Sequence, residues 1–236
     1  MSNIAAGSRM RLRRSIPFVL LLVLILASGV AALASSRSGV SSHPGPEGVP
    51  ILNVPTLGTV ASSLKGAPVD GVSCRTQKTE VVKYHIHIYV SIYINGHQER
   101  LPAGIGITSP ALVEHYPTGI LYDVGLYNCL YWIHTHSSDD VVHVEAPAKG
   151  SFTLGQFFDI WNQTLSSSQV GPAKGNVIVF ENGRQFTGDP RAVPLLPHGV
   201  IQIDVGSPAV PFQSFTYKVS GACGQGTTSC AIKTKG

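Results

Sequence analysis

The sequence predicts an α+β domain, a mainly antiparallel sheet packed on one amphipathic helix in a β-grasp-like arrangement, with a cupin-like β-barrel as the alternative. Three observations predict it. Apolar and polar residues alternate in runs at 81–94, 129–136, 141–146 and 199–206, the period of a half-buried strand. Asn95-Gly96 and Asn182-Gly183 each close such a run with the residue pair that two-residue hairpins favour. Only one stretch, SFTLGQFFDIWNQTL, changes to helical spacing.

The first 34 residues hold Arg9, Arg11, Arg13 and Arg14, then an apolar run from Ile16 to Ala34 that ends in Ala-Leu-Ala. A basic start, an apolar middle and a small-residue end read as a secretory signal. The run also approaches the roughly 20 apolar residues that cross a bilayer, so an uncleaved anchor in the membrane is the alternative. Either reading places the rest outside the cytoplasm. The segment carries four of the 17 Lys and Arg and no acid, which leaves 13 basic against 13 acidic residues. A neutral remainder offers no electrostatic footprint for nucleic acid.

Residues 35–73 are rich in Ser, Gly and Pro and read as a linker. The ordered body is expected over 74–220. Its first strand, 81–94, places Val82, Tyr84, Ile86, Ile88, Val90, Ile92 and Ile94 on one face. Lys83, His85, His87, Tyr89, Ser91 and Tyr93 take the other, toward a cleft, a second sheet or solvent. A second strand is expected near Ile105 and Ile107, and a short strand or helix within 110–128. Strands 129–136 and 141–146 follow as a hairpin around Ser137, Ser138, Asp139 and Asp140. The helix then buries Leu154, Phe157, Phe158, Trp161 and Leu165, with Thr153 as its N-cap. Strands at 176–183, 199–206 and Phe215–Val219 complete the expected body.

Cys74, Cys129, Cys223 and Cys230 suit an exported chain that forms disulfides. The favoured pairing joins Cys74 to Cys129 and closes a Cys223–Cys230 loop in the tail, 221–236. Thiolate ligation of a metal is the rival reading.

Six ligand-type side chains occupy three strand-like stretches: His85 and His87 in YHIHIYV, His134 and His136 in WIHTH, His143 and Glu145 in VVHVE. Spacing of two residues puts each pair on one face of its strand. If His136 closes the hairpin opposite Val141, His134 falls opposite His143 and Trp132 opposite Glu145. Imidazole and carboxylate donors suit Zn²⁺ and Cu²⁺. His134, His136 and His143 then make a facial set, with Glu145 as a fourth ligand or as a carboxylate orienting a histidine. His85 and His87 complete that set or build a second site. Structural histidines and a metal-free acid/base site are the competing readings. His43, His97, His115 and His198 lie in loop-like contexts and are read as ordinary polar residues.

The runs PAGIGI, CLYWIHTH, VVHVEAP, FTLGQFFDIW, ENG and GDPR together resemble a family of exported prokaryotic proteins with no assigned activity. The likeness spans about Lys83 to Gly206 and implies that the histidine hairpin and the following helix form one module. At the site alone, an HxH strand beside a third strand histidine is similar to the zinc site of α-type carbonic anhydrases. The HTH and HxE string is loosely similar to the cupin ligand set. The Gly-rich cupin spacing and the wider anhydrase sequence are missing, so neither fold nor activity carries over.

Three functions fit these residues. Binding or exchange of Zn²⁺ or Cu²⁺ outside the cytoplasm needs an accessible site. A hydrolase, hydratase or oxidoreductase needs three protein ligands and an open position, with Glu145 as general base. An envelope interaction module needs only a closed structural metal.

Overall fold

A computed structural model describes residues 42–61 and 63–217. The expected leader, the Cys223–Cys230 loop and the end of the Phe215–Val219 strand lie outside those residues. Strand makes up 39% and helix 6% of the described structure. The main sheet has seven strands: β1 (Tyr84–Ile94), β2 (His97–Glu99), β3 (Ile133–His134), β4 (Val141–Ala146), β5 (Val177–Glu181), β6 (Arg184–Phe186) and β7 (Val200–Val205). Their order is β6-β5-β7-β1-β4-β3, with β2 also paired to β1.

The α+β expectation is corrected by this topology. The sheet is mixed, because β7 runs parallel to β1 from Val200 opposite Tyr89 to Val205 opposite Ile94. Among the described residues the one α-helix, α1 (Leu154–Trp161), lies chiefly against the 3-10 turn Pro190–Ala192 and the edge strand β3, so the sheet is not laid on a helix. The cupin-like barrel is corrected too: β6 and β3 end the strand order without pairing to each other, and the sheet stays open. Local period reveals that strands exist but not which distant strands meet, and the β7–β1 pairing joins residues more than a hundred positions apart.

The long strand β1 organises the domain. Along one edge it pairs with β7 over residues 89–94; along the other it pairs with β4 over 84–89 and with β2 over 92–94. Asn95 and Gly96, at φ 50° and 81°, make the tight turn into β2. Ile105 and Ile107 are buried but form no strand, apart from a bridge between Ile107 and Leu130. The 110–128 stretch holds a separate hairpin, Leu112–Tyr116 with Gly119–Asp123.

The alternation in β1 sorts the sheet into two faces. Ile86, Ile88, Val90 and Ile92 join Val142 and Val144 of β4 and Ile201, Ile203 and Val205 of β7 in the core. The stripe of α1, Leu154, Phe157, Phe158 and Trp161, is buried in the same cluster. Thr153 caps the helix through Gln156 in a reciprocal capping box, and Asn162 ends it in the left-handed region. Leu165 falls beyond the helix, in a short strand.

The opposite face is polar and covered by both ends of the described chain. Tyr89 stacks on Phe215 at 3.9 Å, and Gln202 and Asp204 bond the backbone of Val210 and Gln213. Before the body, Ser42–Pro44 pairs with Pro50–Leu52, and Val49 packs against Val141. Cys74 and Cys129 form a disulfide beside the paired segments Cys74–Arg75 and Leu130–Tyr131.

Candidate metal centre

Sheet register assembles the histidines. His143 on β4 stands opposite His134 on β3 and opposite His87 on β1, which makes one row of three imidazoles across three strands. Glu145, one step along, stands opposite His85. The Glu145 N–H donates to the Trp132 carbonyl at 2.7 Å, so the hairpin register expected from the sequence is the one found. Directly opposed residues have Cβ atoms about 4.5–5.5 Å apart, near enough for their rings to meet.

A loop fixes the approach of β3. The Thr135 hydroxyl donates to the Pro102 carbonyl and accepts from Ile105 N–H, which anchors the residue between the two histidines. Gly106, at φ 75°, crosses so closely that a Cβ there would lie 2.6 Å from the Ile133 carbonyl oxygen and 3.1 Å from His134 Cβ. Only glycine fits such a crossing without strain.

Two hydrogen bonds set the tautomers of the hairpin pair. His134 Nδ1 lies 2.8 Å from the Tyr131 carbonyl, and His136 Nδ1 lies 2.6 Å from the Tyr122 carbonyl. A carbonyl can only accept, so both Nδ1 atoms carry hydrogen, which leaves each Nε2 as the nitrogen that can take a proton or a metal ion. Those Nε2 atoms face each other at 3.0 Å. Such a pair needs a cation between its lone pairs, either a shared proton or a metal ion. Anchoring of the remote ring nitrogen on a backbone carbonyl is the usual support of a metal-ligating histidine.

His143 sits beside them, 4% exposed, its ring 4.7 Å from that of His136. Among the described residues neither of its nitrogens has a hydrogen-bond partner. Nε2 is 3.2 Å from Glu47 Oε1, at ion-pair distance, and Nδ1 is 3.9 Å from Glu145 Oε1. A buried unpaired polar atom costs about 1–3 kcal/mol, which an ion ligated by the ring removes.

The carboxylates are held ionised. Glu145 is gripped by Arg75, lies 3.1 Å from His85 Nε2 and 4.0 Å from His136 Nε2. Burial pushes its pKa up, but His136, His134 and His85 outweigh burial and hold it well below the usual range. Burial likewise opposes ionisation of Glu47, and His143, His136 and the Ser137 hydroxyl bring it down to about 2. Burial would lower His136; Glu145 and Glu47 instead raise it to about 10. His134 is driven down by burial and by the charge of His136. Burial, with His143 and His85 adding to it, lowers His87 to about 2.

Two groups therefore have the compactness of a metal site. The ligand atoms of His134, His136, His143 and Glu145, all buried, lie within 4.8 Å of one another, as do those of His85, His87 and His143. The chain matches no protein-family model, no curated protein and no solved structure. The chemistry of the site thus rests on its own geometry.

All six ligand-type residues expected from the sequence come to one face of the sheet, though in two sets. Glu47 and Arg75 were not expected there. Glu47 arrives on the 42–52 hairpin, where the Gly48 N–H donates to the Gly45 carbonyl across Pro46-Glu47. Pro second and Gly fourth are the marks of a type I turn, so GPEG was the available signal. Asp139 and Asp140, expected in the hairpin turn, are 2% exposed and turn inward. The Asp140 carboxylate accepts from Leu101 N–H, and Asp139 accepts from Val141 N–H.

Proposed function

We propose that this chain is an extracytoplasmic metal-binding protein that takes Zn²⁺ or Cu²⁺ on His134, His136 and His143 with Glu145, for binding or exchange. One observation carries the reading: the Nε2 atoms of His134 and His136, each ring held through Nδ1 by a backbone carbonyl, face each other at 3.0 Å, beside a buried imidazole whose nitrogens lack hydrogen-bond partners. The donor set is nitrogen and carboxylate oxygen, which suits those two ions. The only methionines are Met1 and Met10, so no thioether cluster is present for Cu⁺. The disulfide and the expected leader support an oxidising compartment.

Glu145 favours binding over hydrolysis. A general base must be free to face the attacking water, whereas in this reading Glu145 is itself a ligand of the ion and is gripped by Arg75. Elemental analysis of the exported chain after mild desalting tests the reading. About one bound ion or more per chain is expected in the wild type, and a His134→Ala/His143→Ala variant is expected to lose the hairpin ion while staying folded. Full occupancy in that variant would sink the assignment.

A further inference from the structure

We propose that this face takes two divalent ions, the second held by His85, His87 and His143 at the more exposed end of the row. The inference rests on the metal reading above and extends it. Ligands of one first-row ion lie about 2.0–2.2 Å from it, so two of them can be only a little over 4 Å apart. Each of the two histidine sets meets that limit within a small relaxation, its atoms all within 4.8 Å, yet the sets share His143 and do not merge into one. A single ion can collect either set and leaves the other unused.

His143 supplies the second argument. Both of its ring nitrogens are buried without hydrogen bonds. One ion would engage one nitrogen and leave the other without a ligand inside the protein, whereas an ion on each side engages both once the ring gives its single N–H proton to solvent and bridges the two ions as imidazolate. The carboxylates supply the third. Glu145 Oε1 lies between the sets, 3.1 Å from His85 Nε2 and 4.0 Å from His136 Nε2. Glu47 reaches His143 from the covering hairpin. Two negative side chains at the junction offset the repulsion between two dications. The sets differ in access: the His134 residue is fully buried, whereas the His85 side chain is 35% exposed. The outer ion therefore meets solvent and exchanges first.

Titration of the chelator-treated full chain with Zn²⁺, followed by desalting and elemental analysis, tests this. Two ions per wild-type chain and one per His85→Ala/His87→Ala chain are expected. One ion in both would overturn the second position and leave the hairpin site standing. Two in the variant would also overturn it, and none in either would remove the metal reading itself. Cu²⁺ titration of the wild type, followed by electron paramagnetic resonance, needs no variant. The first equivalent should give an isolated-ion signal that the second broadens or quenches through coupling. A signal that doubles without change, or a second equivalent left free in solution, overturns the proposal.

Discussion

Replacing Arg75 by Met removes the cation that grips Glu145 and leaves a side chain of similar length. Arg75 is 4% exposed and Glu145 9%, so both groups have left water. The guanidinium also holds Glu80 at 2.5 Å, near the surface. Breaking a buried ion pair from one side costs about 3–5 kcal/mol, because the remaining charge stays buried. In a domain of this size each kcal/mol moves the melting temperature by about 2–4 °C, so the metal-free variant should melt about 6–20 °C below the wild type. Its carboxylate, no longer neutralised by arginine, attracts a cation more strongly. Zn²⁺ at 100 times its dissociation constant stabilises a one-site protein by about 2.7 kcal/mol, and at equal Zn²⁺ the variant should gain more than the wild type. Thermal unfolding followed by circular dichroism, with chelator and with Zn²⁺, reads both effects. An apo midpoint within about 1 °C of wild type refutes the buried-pair account, and equal gains from Zn²⁺ refute the link between Glu145 and the ion.

Burial raises the Asp140 carboxyl to about 7, above its ordinary 3.8. Between those values the folded state holds the proton more tightly, so stability falls as pH rises, by at most about 4 kcal/mol. Asn at that position accepts the same bond from Leu101 N–H and tolerates its φ of 64°. Urea titrations at pH 4 and pH 8 should show Asp140→Asn gaining stability only at the higher pH, and an equal gain at both would count against the mechanism. Gly106→Ala should lower stability by about 2 kcal/mol or more, through its left-handed backbone and its collision with Ile133. It should weaken Zn²⁺ binding as His134 is displaced, and calorimetry with unchanged affinity would separate that loop from the site. The Cys74–Cys129 bridge spans 55 residues, and Ser at both positions should cost about 4 kcal/mol by chain entropy; denaturant midpoints equal to wild type would contradict this.

The strand pairs and the local hairpin were legible in the sequence because they depend on short-range order. Period two puts His134 with His136 and His143 with Glu145 on common faces, and the four-residue turn sets His134 against His143. The meeting of His143 with His87 depends on how β1, some fifty residues earlier, registers on β4, and nothing local encodes that. Fold class failed for the same reason: the parallel β7–β1 ladder comes from tertiary packing, and the helical stripe of α1 reports burial without saying what it is buried against. Glu47 was hidden by composition. A Ser/Gly/Pro-rich stretch reads as linker, although GPEG within it spells a turn that brings an acid onto His143.

The division of β1 into two faces has an evolutionary consequence. On its odd-numbered face His85 and His87 belong to the candidate site and Tyr89 packs on Phe215, whereas its even-numbered residues from Ile86 to Ile92 lie in the core. Substitutions on one face leave the other's contacts largely intact, so the histidines of β1 can be exchanged without rebuilding the core. A chain with this scaffold is thus recognisable by the apolar alternation of β1 even where the histidines differ.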